Sequence, residues 1–149
     1  MNKELQQLRS DFDSMVRTGP PLDVCSRILE LMPHMAFTKD LANQVTWCNA
    51  ATVAGLGFSR EDLCTKNIAD LVGPDEAEHF LANDMEVASS GQPKLGIYES
   101  MTYPDGSRRW YRTDKLPLFS ADGEEVVGIV GFAVEITHLV LEGKIEAPC

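Results

Sequence analysis

Apolar residues recur along the chain first at helical and later at strand spacing, and the change of period divides it into predicted elements. Leu5, Leu8, Phe12 and Met15 are spaced three, four and three apart among Gln, Lys, Arg, Asp, Ser and Glu. That stripe predicts an amphipathic helix over residues 2–18, about two heptads of coiled-coil seam. A helix so short is marginal alone and needs a partner surface. Gly19-Pro20-Pro21 ends it, because proline lacks the amide that a helix requires. A second helix is predicted from Asp23, as its cap, to Leu31, with Val24, Ile28, Leu29 and Leu31 making apolar contacts.

Beyond Pro33, residues 35–38 and 44–48 read as paired strands around a polar turn at 39–43. Asn49 is placed to cap a helix over 50–56 that Gly57 ends. Ser59-Arg60-Glu61-Asp62 resembles a capping box and opens a one-turn helix finishing near Cys64. Gly73-Pro74-Asp75-Glu76 starts a longer helix, with proline at its first position and acids at the positive end of its dipole. Ala77, Phe80, Leu81, Asp84 and Val87 give that helix a partly apolar face, and Gly91 closes it. The last third is extended: runs at 97–103 and 107–118 flank Pro104-Asp105-Gly106, and Ala121-Asp122-Gly123 leads into a long strand at 125–137. A strand pair, a helix cluster and three antiparallel strands predict an α+β domain with one sheet.

The 149 residues suit one domain with short extensions, divided as 1–18, 22–138 and 139–149. No run approaches the roughly 18 apolar residues of a membrane helix, and the first residues form no apolar signal region. A cytoplasmic protein with no membrane segment in this chain is expected. A net charge of −10 argues against nucleic acid and anionic lipid as partners. Cys25, Cys48, Cys64 and Cys149 form no C-x-x-C pair and lie far in sequence from His34, His79 and His138, so no zinc site is expected. Cys25, Cys48 and Cys64 lie in apolar segments, where small buried hydrophobes are expected. No nucleophile-elbow, zinc-protease or phosphate-loop pattern is present, and no enzyme activity is expected.

The ordered set Trp47-Cys48-Asn49-Ala50-Ala51, Gly55-Leu56-Gly57-Phe58-Ser59-Arg60-Glu61-Asp62-Leu63, Pro104-Asp105-Gly106-Ser107 and Glu135-Ile136-Thr137 resembles the PAS family over about residues 24–138. Glu135 stands where that family usually has Asp. The resemblance implies a PAS fold: a five-stranded antiparallel sheet with a helix cluster on one face, preceded here by the N-terminal amphipathic helix. It implies a sensory, signal-transducing role, as in two-component systems, with an effector such as a histidine kinase or a diguanylate cyclase. Glu135, Ile136 and Thr137 are then the residues that pass the signal out of the domain.

The family's pocket lies between the sheet and the helix after Gly73, and Phe37, Met101, Tyr111, Thr113 and Ala133 are the candidates to line it around a small organic ligand. A filled core without ligand is the alternative. Neither haem nor flavin is favoured as cofactor. Ile68 stands where flavin photosensors have their reactive cysteine, and His79, the candidate haem ligand, falls about one residue from the expected place. Strand alternation puts Trp110 on the opposite face of the sheet. With Leu5, Leu8, Phe12 and Met15 it is a candidate homodimer interface.

Overall fold

The computed structural model describes residues 21–147 together with Lys3, Gln6, Gln7 and Ser10. The stripe Leu5, Leu8, Phe12 and Met15 lies outside the described residues. Strands β1 (Met35–Asp40), β2 (Val45–Cys48), β3 (Lys94–Thr102), β4 (Arg108–Phe119) and β5 (Val126–Glu135) form one sheet in the order β2-β1-β5-β4-β3, every neighbouring pair antiparallel. The first strand thus pairs with the last, and β5 occupies the centre. Helices α1 (Pro21–Leu31), α2 (Ala50–Leu56), α3 (Arg60–Thr65), α4 (Ile68–Leu71), α5 (Pro74–Ser90) and α6 (Thr137–Leu141) complete the domain. The expected five-stranded α+β architecture is the observed one.

Two glycines let β1 and β5 pack as they do. A Cβ on Gly131 would sit 2.3 Å from the Phe37 ring, and one on Gly128 would sit 2.4 Å from the Lys39 carbonyl oxygen. Only a residue without a side chain permits both approaches. Local signals set the helix ends. Asn49, Ser59 and Asn67 each accept an amide hydrogen bond at the start of α2, α3 and α4. Gly57 and Gly91 adopt the left-handed conformation after α2 and α5, with φ of 75° and 63°.

Asn49 does more than cap. It is wholly buried, and its Oδ1 accepts from Ala36 N at 3.1 Å and Thr52 N at 3.0 Å. Its Nδ2 donates to the carbonyls of Leu29 and His34, both at 2.9 Å. One amide therefore joins α1, the segment before β1, β1 itself and α2.

Three expectations need correction. Strand β1 runs to Asp40, so Lys39 and Asp40 belong to the strand and not to the turn. The charge of Lys39 suits a polar turn, yet its ammonium is neutralised inside the fold by Asp84. Helix α1 begins at Pro21, which places Asp23 within its first turn instead of at its cap. Finally Cys25, Ile28 and Leu31 are exposed, because α1 turns only part of its apolar surface towards the domain. Cys48 is buried as expected, and Cys64 is half-buried.

Asn49→Ala should leave the His34 carbonyl and the Thr52 amide short of partners and remove the side-chain link to Leu29 and Ala36, at a cost of about 3 kcal/mol. Urea unfolding of the two proteins checks this, and a loss below about 1 kcal/mol would contradict the role of Asn49 as the joint.

Candidate functional site

The sheet presents one face to α2–α5. The register aligns Met101, Tyr111, Thr113 and Ala133 on that face: Thr113 pairs with Ala133 and with Ile97, and Tyr111 with Glu99. A cavity of about 80 Å³ lies beneath it. Its floor is Met35, Phe37, Met101, Tyr111, Thr113 and Ala133, and its roof is Leu56, Leu63, Ile68 and Phe80 from the helices. All five residues singled out as pocket candidates lie in its wall. So does Ile68, where a photosensor would carry cysteine. Among the described residues no histidine or cysteine lines it.

One end of this apolar cavity is ionic. Lys39 Nζ binds Asp84 Oδ2 at 2.6 Å, and Lys115 Nζ lies 2.9 Å from both Asp84 Oδ1 and Glu99 Oε1. Lys115 also donates to the Phe80 carbonyl at 3.3 Å. Its contact with Asp84 Oδ1 is ionic and lacks the alignment of a hydrogen bond, which leaves that oxygen without a hydrogen-bond donor. All four side chains are less than 10% exposed, with Lys115 at 1%. Asn83 extends the cluster, donating to Glu99 Oε1 at 3.3 Å and accepting from Lys94 Nζ at 2.9 Å. Two cations thus face two carboxylates out of water. Burial pulls the Lys39 ammonium below the ordinary lysine range, and Asp84 offsets only part of that.

Sequence reasoning missed this cluster as a site. The signal was present: Asp84 falls on the apolar face of α5, and Lys115 shares the inward parity of Tyr111 and Thr113. A charged residue at an inward position is expected to be paired.

The opposite end is a phenol relay. Tyr103 donates to the Gly55 carbonyl at 2.9 Å and stands 2.5 Å from the Tyr111 hydroxyl, which is therefore the donor between the two. The Arg109 guanidinium stacks 4.2 Å from the centre of the Tyr103 ring. Burial raises the ionisation of both phenols above the usual tyrosine range, and for Tyr111 the hydrogen bond it donates adds to the effect. Burial also pushes the Cys48 thiol up to about 11, which suits an unreactive core residue.

Trp110, adjacent to Tyr111, points away from the cavity and is half-buried under Arg108, whose guanidinium lies 4.7 Å from the ring centre. Its backbone holds the end of the domain. Trp110 N donates to Thr137 Oγ1 at 3.0 Å, and Ile136 N donates to the Trp110 carbonyl at 2.7 Å. Thr137 in turn donates to Glu135 Oε1 at 2.8 Å. The three residues named for signal transfer are thus tied to β4 where α6 begins. His79 is exposed in a surface groove with Asp75, Glu76, Tyr98 and Trp110, and does not line the cavity. Among the described residues no group of His, Cys, Asp and Glu is arranged to hold a metal ion, and no helix is long and apolar enough to cross a membrane.

A sheet curled over a helix cluster, with a cavity between them and its terminal strand tied at the exit, defines a sensory domain of the PAS type. The model of the PAS fold matches residues 29–141, and the chain belongs to that family. It is similar to the PAS domain of a Colwellia psychrerythraea protein, at 18% identity and TM-score 0.68 over 80% of this chain and 99% of that one. It is similar to the PAS domain of Bordetella pertussis BvgS, at 22% identity and TM-score 0.64 over 83% and 93%. It also resembles VqmA from Vibrio cholerae in a complex with ligand and DNA, at 20% identity and TM-score 0.64 over 86% and 60%. This chain therefore spans under two thirds of that VqmA chain.

Two outcomes follow from the site. Asp84→Ala strands two buried ammonium groups on one carboxylate and should cost about 3–5 kcal/mol in urea unfolding, whereas Lys39→Met combined with Asp84→Leu should recover part of that loss. Equal losses for the two variants would argue against the ion cluster. Second, a phenol protonated in the fold and ionised in the unfolded chain contributes stability that is complete below the reference value of 10.0 and lost as pH rises past it. Stability should fall above about pH 10, and Tyr111→Phe should flatten that fall; an unchanged slope by urea titration would sink the assignment.

Proposed function

We propose that the chain is a cytoplasmic sensory module that binds a small organic molecule in the cavity and passes the change to the chain beyond β5. The observation that carries this reading is the adjacency of Tyr111 and Trp110. The first is a cavity wall, and the second holds Ile136 and Thr137 through its backbone. A guest that displaces β4 at Tyr111 moves the anchor of α6 by one residue's reach. The VqmA complex supports the reading by analogy, since a protein of this fold there holds a ligand. The DNA in that complex belongs to VqmA; the net charge of −10 disfavours a nucleic-acid surface on this chain.

The module works as a homodimer and controls an effector such as a histidine kinase or a diguanylate cyclase. The outer face of the sheet supports the dimer. Leu116 pairs with Val130 there, and Tyr98, Leu118 and Val134 are exposed beside the half-buried Phe132 and Trp110. A face of this kind favours cover by a second copy, to which the stripe Leu5, Leu8, Phe12 and Met15 would contribute. Catalysis is no part of this reading. Haem is disfavoured because His79 faces the surface groove, and flavin because no amide side chain among the described residues lines the cavity.

Native mass spectrometry of the purified protein should show a dimer carrying, or accepting, a ligand of low mass. Light scattering after size exclusion should place Trp110→Ala at least about tenfold weaker in self-association, a loss of some 1.4 kcal/mol. A clean monomer at high concentration, unchanged by Trp110→Ala, would end the dimer reading. A protein that takes up no small molecule from a metabolite mixture would favour the ligand-free interaction domain, and a visible absorption scan separates a coloured cofactor from both.

A further inference from the structure

The polar groups at the ionic end of the cavity are not all used by the protein. An ammonium has three N–H donors, and Lys39 Nζ has two acceptors, Asp84 Oδ2 at 2.6 Å and Asn43 Oδ1 at 3.1 Å. Glu99 engages Asn83 and Lys115 through Oε1, and Oε2 has no partner among the described residues. The Thr113 hydroxyl, on the same inner face and 1% exposed as a residue, has none among them either. Lys39, Glu99 and Thr113 all line the cavity. A spare cationic donor, a spare carboxylate oxygen and a hydroxyl of either polarity therefore border the same space.

Each of these residues is over nine-tenths buried. A buried polar atom left without a partner is costly, so a guest that supplies the missing partners is favoured over one of the same shape that does not. The charges also select. Lys39 and Lys115 balance Asp84 and Glu99, so a charged guest would bring an uncompensated charge into a largely apolar space. The cavity holds about 80 Å³, less than the about 150 Å³ in which an engineered protein cavity holds benzene. A guest of ring size must shift a wall, and half-buried Phe37 is the wall that rests on a glycine.

Resting on the ligand-binding reading above, we propose that the cavity takes a small neutral molecule with a carbonyl oxygen beside an N–H, as in a lactam or a primary carboxamide. The carbonyl accepts from Lys39, the N–H donates to Glu99, and Thr113 takes whichever neighbouring group remains. The apolar remainder of the guest lies against Met101, Ala133 and Phe37.

Two isosteric rings test this on the wild-type full chain without risk to the fold. 2-Pyrrolidinone carries the acceptor and donor together, whereas cyclopentanone keeps the carbonyl and replaces the N–H by a methylene; cyclopentene carries neither. Titration followed by backbone amide NMR shifts of the cavity-lining residues should show 2-pyrrolidinone binding at least about tenfold tighter than cyclopentanone, and Glu99→Gln should reduce that ratio. Equal binding of the two, or tighter cyclopentanone, overturns the recognition of the amide edge while leaving a ligand-binding cavity. Failure of all three rings to shift any cavity-lining amide overturns the ligand-binding reading itself.

Discussion

Four buried charged side chains fix how far the sheet stands from the helix that covers it. Lys39 comes from β1, Glu99 from β3, Lys115 from β4 and Asp84 from α5. Three strands are thereby tied to one helix at a point where hydrophobic contact alone would allow sliding. Apolar packing is indifferent to small shifts, whereas an ion held at 2.6–2.9 Å is not. The cluster also explains why a cavity survives beside it. The long lysine stems span the space between sheet and helix, and their heads hold α5 at a set height, so the roof residue Phe80 does not collapse onto Thr113.

Much of this domain was legible in the chain, for physical reasons that differ from element to element. Asn49, Gly57, Pro74 and Gly91 mark helix ends through local hydrogen bonding and backbone geometry, which need no knowledge of the rest of the fold. The inward parity of Tyr111 and Thr113 follows from the two-residue repeat of a strand. The interior lysines were harder. Lys39 lies 45 residues from Asp84, and nothing local says that a charge beside Asp40 and Leu41 will find a carboxylate inside. The exposure of Ile28 and Leu31 was equally hidden, since helical spacing reveals a stripe but not what the stripe faces.

Alternation along β4 gives the domain two faces with different chemistry a single residue apart. Tyr111, Thr113 and Lys115 address the cavity; Trp110, Arg112 and Asp114 address the exterior, where Arg112 and Asp114 lie within 3.5 Å of each other. The cavity itself has two unlike ends, ions towards β1 and phenols towards Gly55 of α2. A domain of the PAS family therefore carries here a cavity whose ends are chemically distinguishable.

The clamp at Trp110 has a thermodynamic corollary. Two backbone-level hydrogen bonds, each with a net contribution near 1 kcal/mol, and the burial of Ile136 hold the chain where it leaves the sheet, so freeing it there would cost more than about 2 kcal/mol. A guest that freed the chain would have to prefer the freed arrangement by more than about thirtyfold to make it the equal of the tied one.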